Sequence, residues 1–353
     1  MITFYPGPSK INSKVAKYFP DALLDGVLSI NHRSPEFVEI YKQCTVELKD
    51  KLEIPDDYVI LFTSSATECW EIIAQSLVET SSFHIYNGAF GKKWFEYTKN
   101  LKPEARGLLF DMQRVIDIKS LDLPASPELI ALTQNETSNG TALDNSTIKT
   151  LRETYPDSLI AVDATSSMAG IQLDFINADV WYASVQKCFG LPAGLAVLIC
   201  SPKAVERAFS INERSHYNSL AFMLEMAEKN QTTYTPNVLN IYLLMRVMTD
   251  ADYIVDTTAK VDLRYKNWLE FFSGFQSVQL LIEDDRVRSR TVIALTSSHE
   301  EIETIKSTAK KAGIVLGNGY GELKSNTFRI ANFPAIKNKE IELLMDFFRN
   351  HLS

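Results

Sequence analysis

Short apolar runs alternate with helical patterns over most of the chain. Segments 58–62, 83–86, 129–133, 159–162, 180–184 and 195–200 are nearly continuous apolar runs of strand length, the pattern of strands buried on both faces. After the first of them, the small-residue turn Thr63-Ser64-Ser65-Ala66-Thr67 precedes Trp70, Ile73 and Leu77. That i, i+3, i+7 stripe predicts an amphipathic helix. Strands alternating with helices predict a mostly parallel sheet covered on both faces, an α/β arrangement. Segment 238–272 carries apolar residues throughout and is free of Pro and Gly, which predicts mainly helix. After Gly274 the order becomes strand (290–295), helix, short strand (313–316), strand (327–331) and helix (339–352). The middle helix carries its own boundary signals: Ser298 with Glu301 three residues on, and Gly313 just past the end. This is a compact α+β unit of about 80–100 residues. The expected division is a large α/β domain over 14–250 and a smaller α+β domain built from 1–13 and 251–353.

The length of 353 residues agrees with two domains of roughly 150 residues each. Charge narrows the function classes. With 36 Lys and Arg against 44 Asp and Glu, the net charge is −8, which argues against nucleic-acid or anionic-membrane partners. No apolar run approaches a membrane span, and residues 1–17 lack the basic start and apolar stretch of a signal peptide. Cys44, Cys69, Cys188 and Cys200 are scattered, which suits a reducing cytoplasm better than a disulfide framework or a zinc site. No metal site is expected.

The most informative stretch runs from the strand ending in Asp163 to the strand followed by Gln186-Lys187. Parallel strands put their C-terminal ends on one edge of the sheet, where open α/β folds bind ligands. Asp163 and Lys187 are therefore expected to face one crevice. A lysine and an acid so placed suit pyridoxal 5'-phosphate (PLP). The amine forms a Schiff base with the cofactor aldehyde, and the carboxylate keeps the pyridine nitrogen protonated. Lys187 then also serves as the base that moves the substrate α-proton. Taken singly, a lysine at a strand end is ordinarily solvated and an Asp before a small-residue turn ordinarily caps a helix.

Other segments shift that balance. The turn Ser64-Ser65-Ala66-Thr67 opens a helix directly after a strand and offers backbone N–H groups to a phosphate; a plain helix cap is the ordinary alternative. Tyr86-Asn87-Gly88-Ala89-Phe90-Gly91 sets Phe90 in a glycine-flanked turn, where its ring could meet a flat heteroaromatic or simply fill the core. Gln134-Asn135-Glu136-Thr137 ends a third strand with four polar residues. Arg329 lies within an apolar strand, an odd place for an unpaired charge, and suits carboxylate recognition. A buried salt bridge is its alternative, and a solvated loop is that of His32 and Arg33.

Together these segments resemble the class V, fold type I, PLP-dependent aminotransferases, and the phosphoserine aminotransferases most closely. The resemblance runs from Phe4-Tyr5-Pro6-Gly7-Pro8 to Asn332-Phe333-Pro334. It includes His32-Arg33-Ser34-Pro35-Glu36-Phe37, Asn135-Glu136-Thr137 with Gly140, and Gln186-Lys187 with Gly190 and Pro192-Ala193-Gly194. It implies that Lys187 carries the cofactor, Asp163 pairs with its pyridine nitrogen, Phe90 stacks on its ring and Thr137 contacts its phenolic oxygen. Ala66 and Thr67 would donate to its phosphate, helped by Gln186. Tyr234 and Thr235 would reach a neighbouring subunit's cofactor phosphate, implying a homodimer with shared sites. Arg329 would grip the substrate α-carboxylate, and His32 and Arg33 of a partner copy its distal anion. The sequence departs from the pattern in four places. The phosphate turn lacks the usual glycines and arginine, Phe90 replaces a tryptophan and Tyr234 an asparagine. Glu322 stands where phosphoserine enzymes often carry a histidine, and Lys324 could supply the missing charge.

The expected reaction is an amine exchange between amino acids and 2-oxo acids, O-phosphoserine with 2-oxoglutarate first, as in serine biosynthesis. An alanine– or serine–glyoxylate enzyme is the alternative, since Asn87-Gly88-Ala89-Phe90-Gly91 and Arg329 resemble that group too. A cysteine desulfurase would need a late nucleophilic cysteine, and none follows Cys200. A non-catalytic binding or regulatory protein is the remaining reading, against which the retained lysine, acid and arginine speak.

Overall fold

The computed structural model describes residues 1–121, 123 and 127–352. Its larger sheet has seven strands in the order Val59–Thr63, Ala196–Cys200, Val180–Ser184, Leu159–Asp163, Leu129–Thr133, Ser82–Tyr86 and Arg106–Leu109. Ala196–Cys200 runs antiparallel to both neighbours, and the other contacts are parallel.

The continuous apolar runs follow from burial on both faces. Alternate residues point to opposite sides of a strand. Ile130, Leu132, Ile160, Val162, Trp181 and Ala183 enter one core, while Leu129, Ala131, Leu159, Ala161, Val180 and Tyr182 enter the other. The first core is closed by helices Pro35–Leu52 and Val238–Thr249, which pack on each other. The second is closed by Ala66–Leu77, which supplies Cys69, Trp70, Ile73 and Leu77.

A second sheet of five strands has its own core around Trp268, Phe272, Phe328, Phe333 and Phe348. The strand Thr327–Ala331 lies between Val292–Thr296 and Ile314–Asn318. The chain's first strand, Ile2–Phe4, pairs parallel to Ile314–Asn318 at the edge, a long-range pairing that no local pattern announces. Residues 5–10 then lead from this sheet back to the larger one, where Ser9 N–H meets the Gln186 carbonyl at 2.9 Å.

The stretch 238–272, expected to be mainly helix, forms two helices, Val238–Thr249 and Ile254–Phe272. Neither Pro nor Gly breaks it. Tyr253 adopts an extended conformation, and the Asp250 carboxylate accepts the Tyr18 hydroxyl. Met248 belongs to the first core and Trp268 to the second, so the turn lets one apolar run serve two cores. Ser298 does cap its helix, accepting the Glu301 N–H at 3.2 Å, and Gly313 takes φ +76°.

Candidate active site

The parallel strands deliver Thr133, Asp163 and Ser184 to the same edge. Thr133 is aligned with Asp163, and Ser184 sits two residues beyond Tyr182, the partner of Asp163. Beyond Ser184 the chain turns back on itself: Val185 N–H meets the Leu195 carbonyl, and Gly190, at φ +68°, closes on the Lys187 carbonyl. A side chain at Gly190 would also press on the backbone of Asn12. This loop sends Lys187 back over the sheet edge.

Lys187 and Asp163 line one cavity of 330 Å³, together with Ala66, Thr67, Phe90, Thr137, Gln186 and Arg329. Eight residues singled out in the sequence thus converge. His32, Arg33, Tyr234, Thr235, Glu322 and Lys324 do not line it. Arg33 donates to Gln231 at 3.1 Å, His32 packs edge-on to Phe37, and Tyr234 packs edge-on to Tyr217. Thr235, Glu322 and Lys324 are exposed, and Glu322 faces a neighbouring cavity.

Lys187 Nζ donates to Thr137 Oγ1 and to Ser166 Oγ, each at 3.0 Å. It sits 5.3 Å from the centroid of the Phe90 ring. Only 8% of the residue is exposed. Burial lowers its pKa from 10.5 to about 8, against the pull of Asp163 and with a push from Arg329. The amine therefore gives up its proton more readily than an ordinary lysine, as a nucleophile requires. Burial likewise raises the Asp163 carboxyl above its ordinary value, opposed by hydrogen bonds from Thr165 and by the charge of Lys187. Asp163 Oδ1 accepts the Thr165 N–H at 2.8 Å.

Phe90 is held by a residue the motif reading did not assign. The buried Glu136 carboxylate accepts the N–H groups of Phe90 and Gly91 from Oε2, at 3.0 and 3.1 Å, and that of Ser138 from Oε1, at 2.9 Å. It thereby satisfies the open donors at the start of helix Ala89–Leu101, whose N-cap residue Gly88 has no side chain to do so. Arg329 is also anchored. Its Nε donates to the Asn318 carbonyl at 2.7 Å and its Nη1 to the Thr137 carbonyl at 2.6 Å. Among other residues not foreseen, Ser166 lies three positions after Asp163, and Gly7 lies over Lys187, where a Cβ would come 2.9 Å from Cε. Register along the sheet edge was the signal for Thr133 and Ser184; nothing local marked Ser166.

The class-V aminotransferase family model matches residues 6–322. The chain belongs to the class V aminotransferases. It is 29% identical to the phosphoserine aminotransferase of Corynebacterium glutamicum, over 97% of this chain and 93% of the relative. The crystal structure of a phosphoserine aminotransferase from Cytophaga hutchinsonii superposes with a TM-score of 0.93 at 34% identity, covering 100% of this chain and 99% of that one. An aspartate aminotransferase from Thermus thermophilus shares the fold, with a TM-score of 0.85 at 18% identity over 99% and 98% of the two chains. The protein is thus a fold type I, PLP-dependent transaminase.

The cavity's chemistry fits that cofactor. It holds a buried amine, a buried carboxylate and an aromatic face. Two buried polar atoms lining it, Thr133 Oγ1 and Gln186 Oε1, have no hydrogen-bond partner among the described residues, and buried polar atoms are seldom left so unless a ligand meets them. At the Thr67 end lies the start of helix Ala66–Leu77, suited to a phosphate. The Ala66 N–H itself is occupied by Ser184 Oγ at 3.0 Å.

Proposed function

We propose that this aminotransferase exchanges amine between O-phosphoserine and 2-oxoglutarate, giving 3-phosphohydroxypyruvate and glutamate, a step in the formation of serine. The observation that carries the substrate is the full-length similarity to the Cytophaga phosphoserine aminotransferase. The Corynebacterium relative adds to it. Glu322, unfavourable beside a phosphate, faces the neighbouring cavity rather than this one.

When bound, the cofactor supplies an aldehyde that condenses with amines and a protonated ring that accepts an electron pair. Lys187 would hold it through its Nζ. Lys187 Nζ, once free, would be the base that moves the proton of the substrate Cα. Asp163 would pair with the pyridine nitrogen and keep it protonated. Phe90 would face the ring, and Thr137 Oγ1, which accepts a hydrogen bond from Lys187, would contact the phenolic oxygen. Thr67 and Gln186 hold the phosphate, with Ala66 shaping that end. Arg329 binds the α-carboxylate.

His32 and Arg33, and Tyr234 and Thr235, act in this reading from a second copy, making a homodimer with shared sites. Their position outside their own chain's cavity supports that assignment. The same reading places the enzyme in the cytoplasm, supported by four free cysteines. It divides the chain into 14–250 and 1–13 with 251–353, supported by the two sheets with separate cores.

The test is a panel of amino donors with 2-oxoglutarate and glyoxylate as acceptors. A kcat/KM for O-phosphoserine at least about tenfold above those for alanine and serine is expected. A preference for alanine or serine with glyoxylate would replace this reading by the glyoxylate one.

A further inference from the structure

Helix Ala89–Leu101 presents Phe90, Lys93 and Tyr97 to the cavity, an i, i+3, i+7 stripe on one helical face. Among the described residues, the cations lining that cavity are Lys93, Lys187 and Arg329. Lys187 is committed to the cofactor and Arg329 to an α-carboxylate in the reading above, which leaves Lys93 unassigned. Its neighbour Lys92 pairs with Glu96. Lys93 itself makes no salt bridge among the described residues. Among those residues its Nζ hydrogen-bonds to the Tyr320 hydroxyl, at 2.7 Å. An ammonium has three donors, so its charge and two of its N–H groups remain available to a ligand.

The placement is specific. The Tyr320 ring centre lies 5.2 Å from Lys93 Nζ and 5.8 Å from Arg329 Cζ, and 5.1 Å from the Phe90 ring. Both cations therefore border the same aromatic wall. An amino acid with its α-carboxylate on Arg329 has its side-chain anion a few bonds away, within the sweep of a four-carbon lysine stem.

We propose that Lys93 is a specificity-determining residue that receives the distal phosphate or carboxylate of the substrate in the same chain that binds its α-carboxylate. The proposal rests on the distal-anion substrate class argued above. Tyr320 holds the ammonium at the mouth of the cavity until the anion arrives.

The test uses the holoenzyme with Lys93→Met and Lys93→Arg. The donor half-reaction is followed by cofactor absorbance with O-phosphoserine and with alanine, and inorganic phosphate binding by calorimetry. Lys93→Met is expected to weaken the apparent Kd for O-phosphoserine and for phosphate by about tenfold or more. The limiting rate should stay within about threefold and alanine should be unaffected. Lys93→Arg should stay within about threefold of wild type for both ligands. Unchanged phosphoserine and phosphate affinity in Lys93→Met overturns the assignment of Lys93 alone, as does an equal loss for alanine. A wild-type enzyme that binds O-phosphoserine no better than alanine overturns the substrate class and Lys93's role with it.

Discussion

Arg329 Nη1 lies 2.6 Å from the carbonyl oxygen of Thr137. A guanidinium from the smaller sheet is thus fixed on the backbone of the segment whose side chain holds Lys187. With Nε bound to Asn318, two of its five N–H donors set its orientation and the rest are left for a ligand. The side chain is almost wholly buried, so it is preorganised rather than gathered on binding. Arg329→Lys keeps the charge but loses the fork and at least one backbone bond. Its KM for amino donors should rise about 30- to 100-fold, the scale of about 2–3 kcal/mol for a buried charged hydrogen bond. Steady-state kinetics check this, and a change in kcat alone would contradict it.

Lys187→Met should abolish turnover, by about a thousandfold or more, and remove the absorbance of the covalently held cofactor. It should also alter the pH dependence of stability in the cofactor-free protein. The folded-state pKa of about 8 lies below the ordinary 10.5. Below about pH 8 the amine is charged in both folded and unfolded chains, and the burial penalty is fully present. Between the two values the folded chain has lost its proton while the unfolded chain retains it, so stability rises with pH. The stability advantage of Lys187→Met should therefore be largest below pH 8 and shrink by about 3 kcal/mol toward pH 10.5. Denaturant midpoints at several pH values measure it; parallel curves for the two proteins would refute it.

Asp163→Asn separates function from stability. The amide can still accept the Thr165 N–H, but it cannot hold a proton on the pyridine nitrogen. The half-reaction should slow by about a hundredfold or more. Burial raises the Asp163 carboxyl, so its ionised form opposes folding as pH climbs above the ordinary carboxylate range. The cofactor-free variant should then melt no lower than wild type at pH 7. A thermal scan beside the kinetics is the check. A large drop in melting temperature would show that Asp163 is a structural acid.

Much of this is legible in the sequence because burial writes directly into composition. The strands that carry Thr133, Asp163 and Ser184 are apolar on both faces, so runs such as Leu159-Ile160-Ala161-Val162 stand out. The order of strand ends then predicts which residues meet. What stayed hidden depends on long-range contacts. Ile2–Phe4 gains its meaning from Ile314–Asn318, and Ser166 acquires its role only where Thr137 and Lys187 arrive from other strands. Glu136 sat inside a motif already singled out. Its function was invisible because its three backbone donors lie partly across a crossover.

Gly88 supports the same arrangement through what it lacks. A Cβ there would fall 2.3 Å from Glu136 Cγ and 2.7 Å from Ser138 Oγ, far inside van der Waals contact. Neither neighbour can retreat easily. The Glu136 carboxylate is fixed by three N–H groups, and Ser138 Oγ accepts the Ala89 N–H at 2.9 Å. Gly88→Ala must therefore push the carboxylate off the start of helix Ala89–Leu101 and shift Phe90 with it. The expected loss is about 2 kcal/mol or more of stability, on the scale of overpacking plus unsatisfied buried donors. Because Phe90 packs beside Lys187, the cofactor's circular dichroism should weaken and its dissociation quicken. A chain that kept wild-type stability and cofactor retention with alanine at 88 would mean that Glu136 does not fix the Phe90 turn.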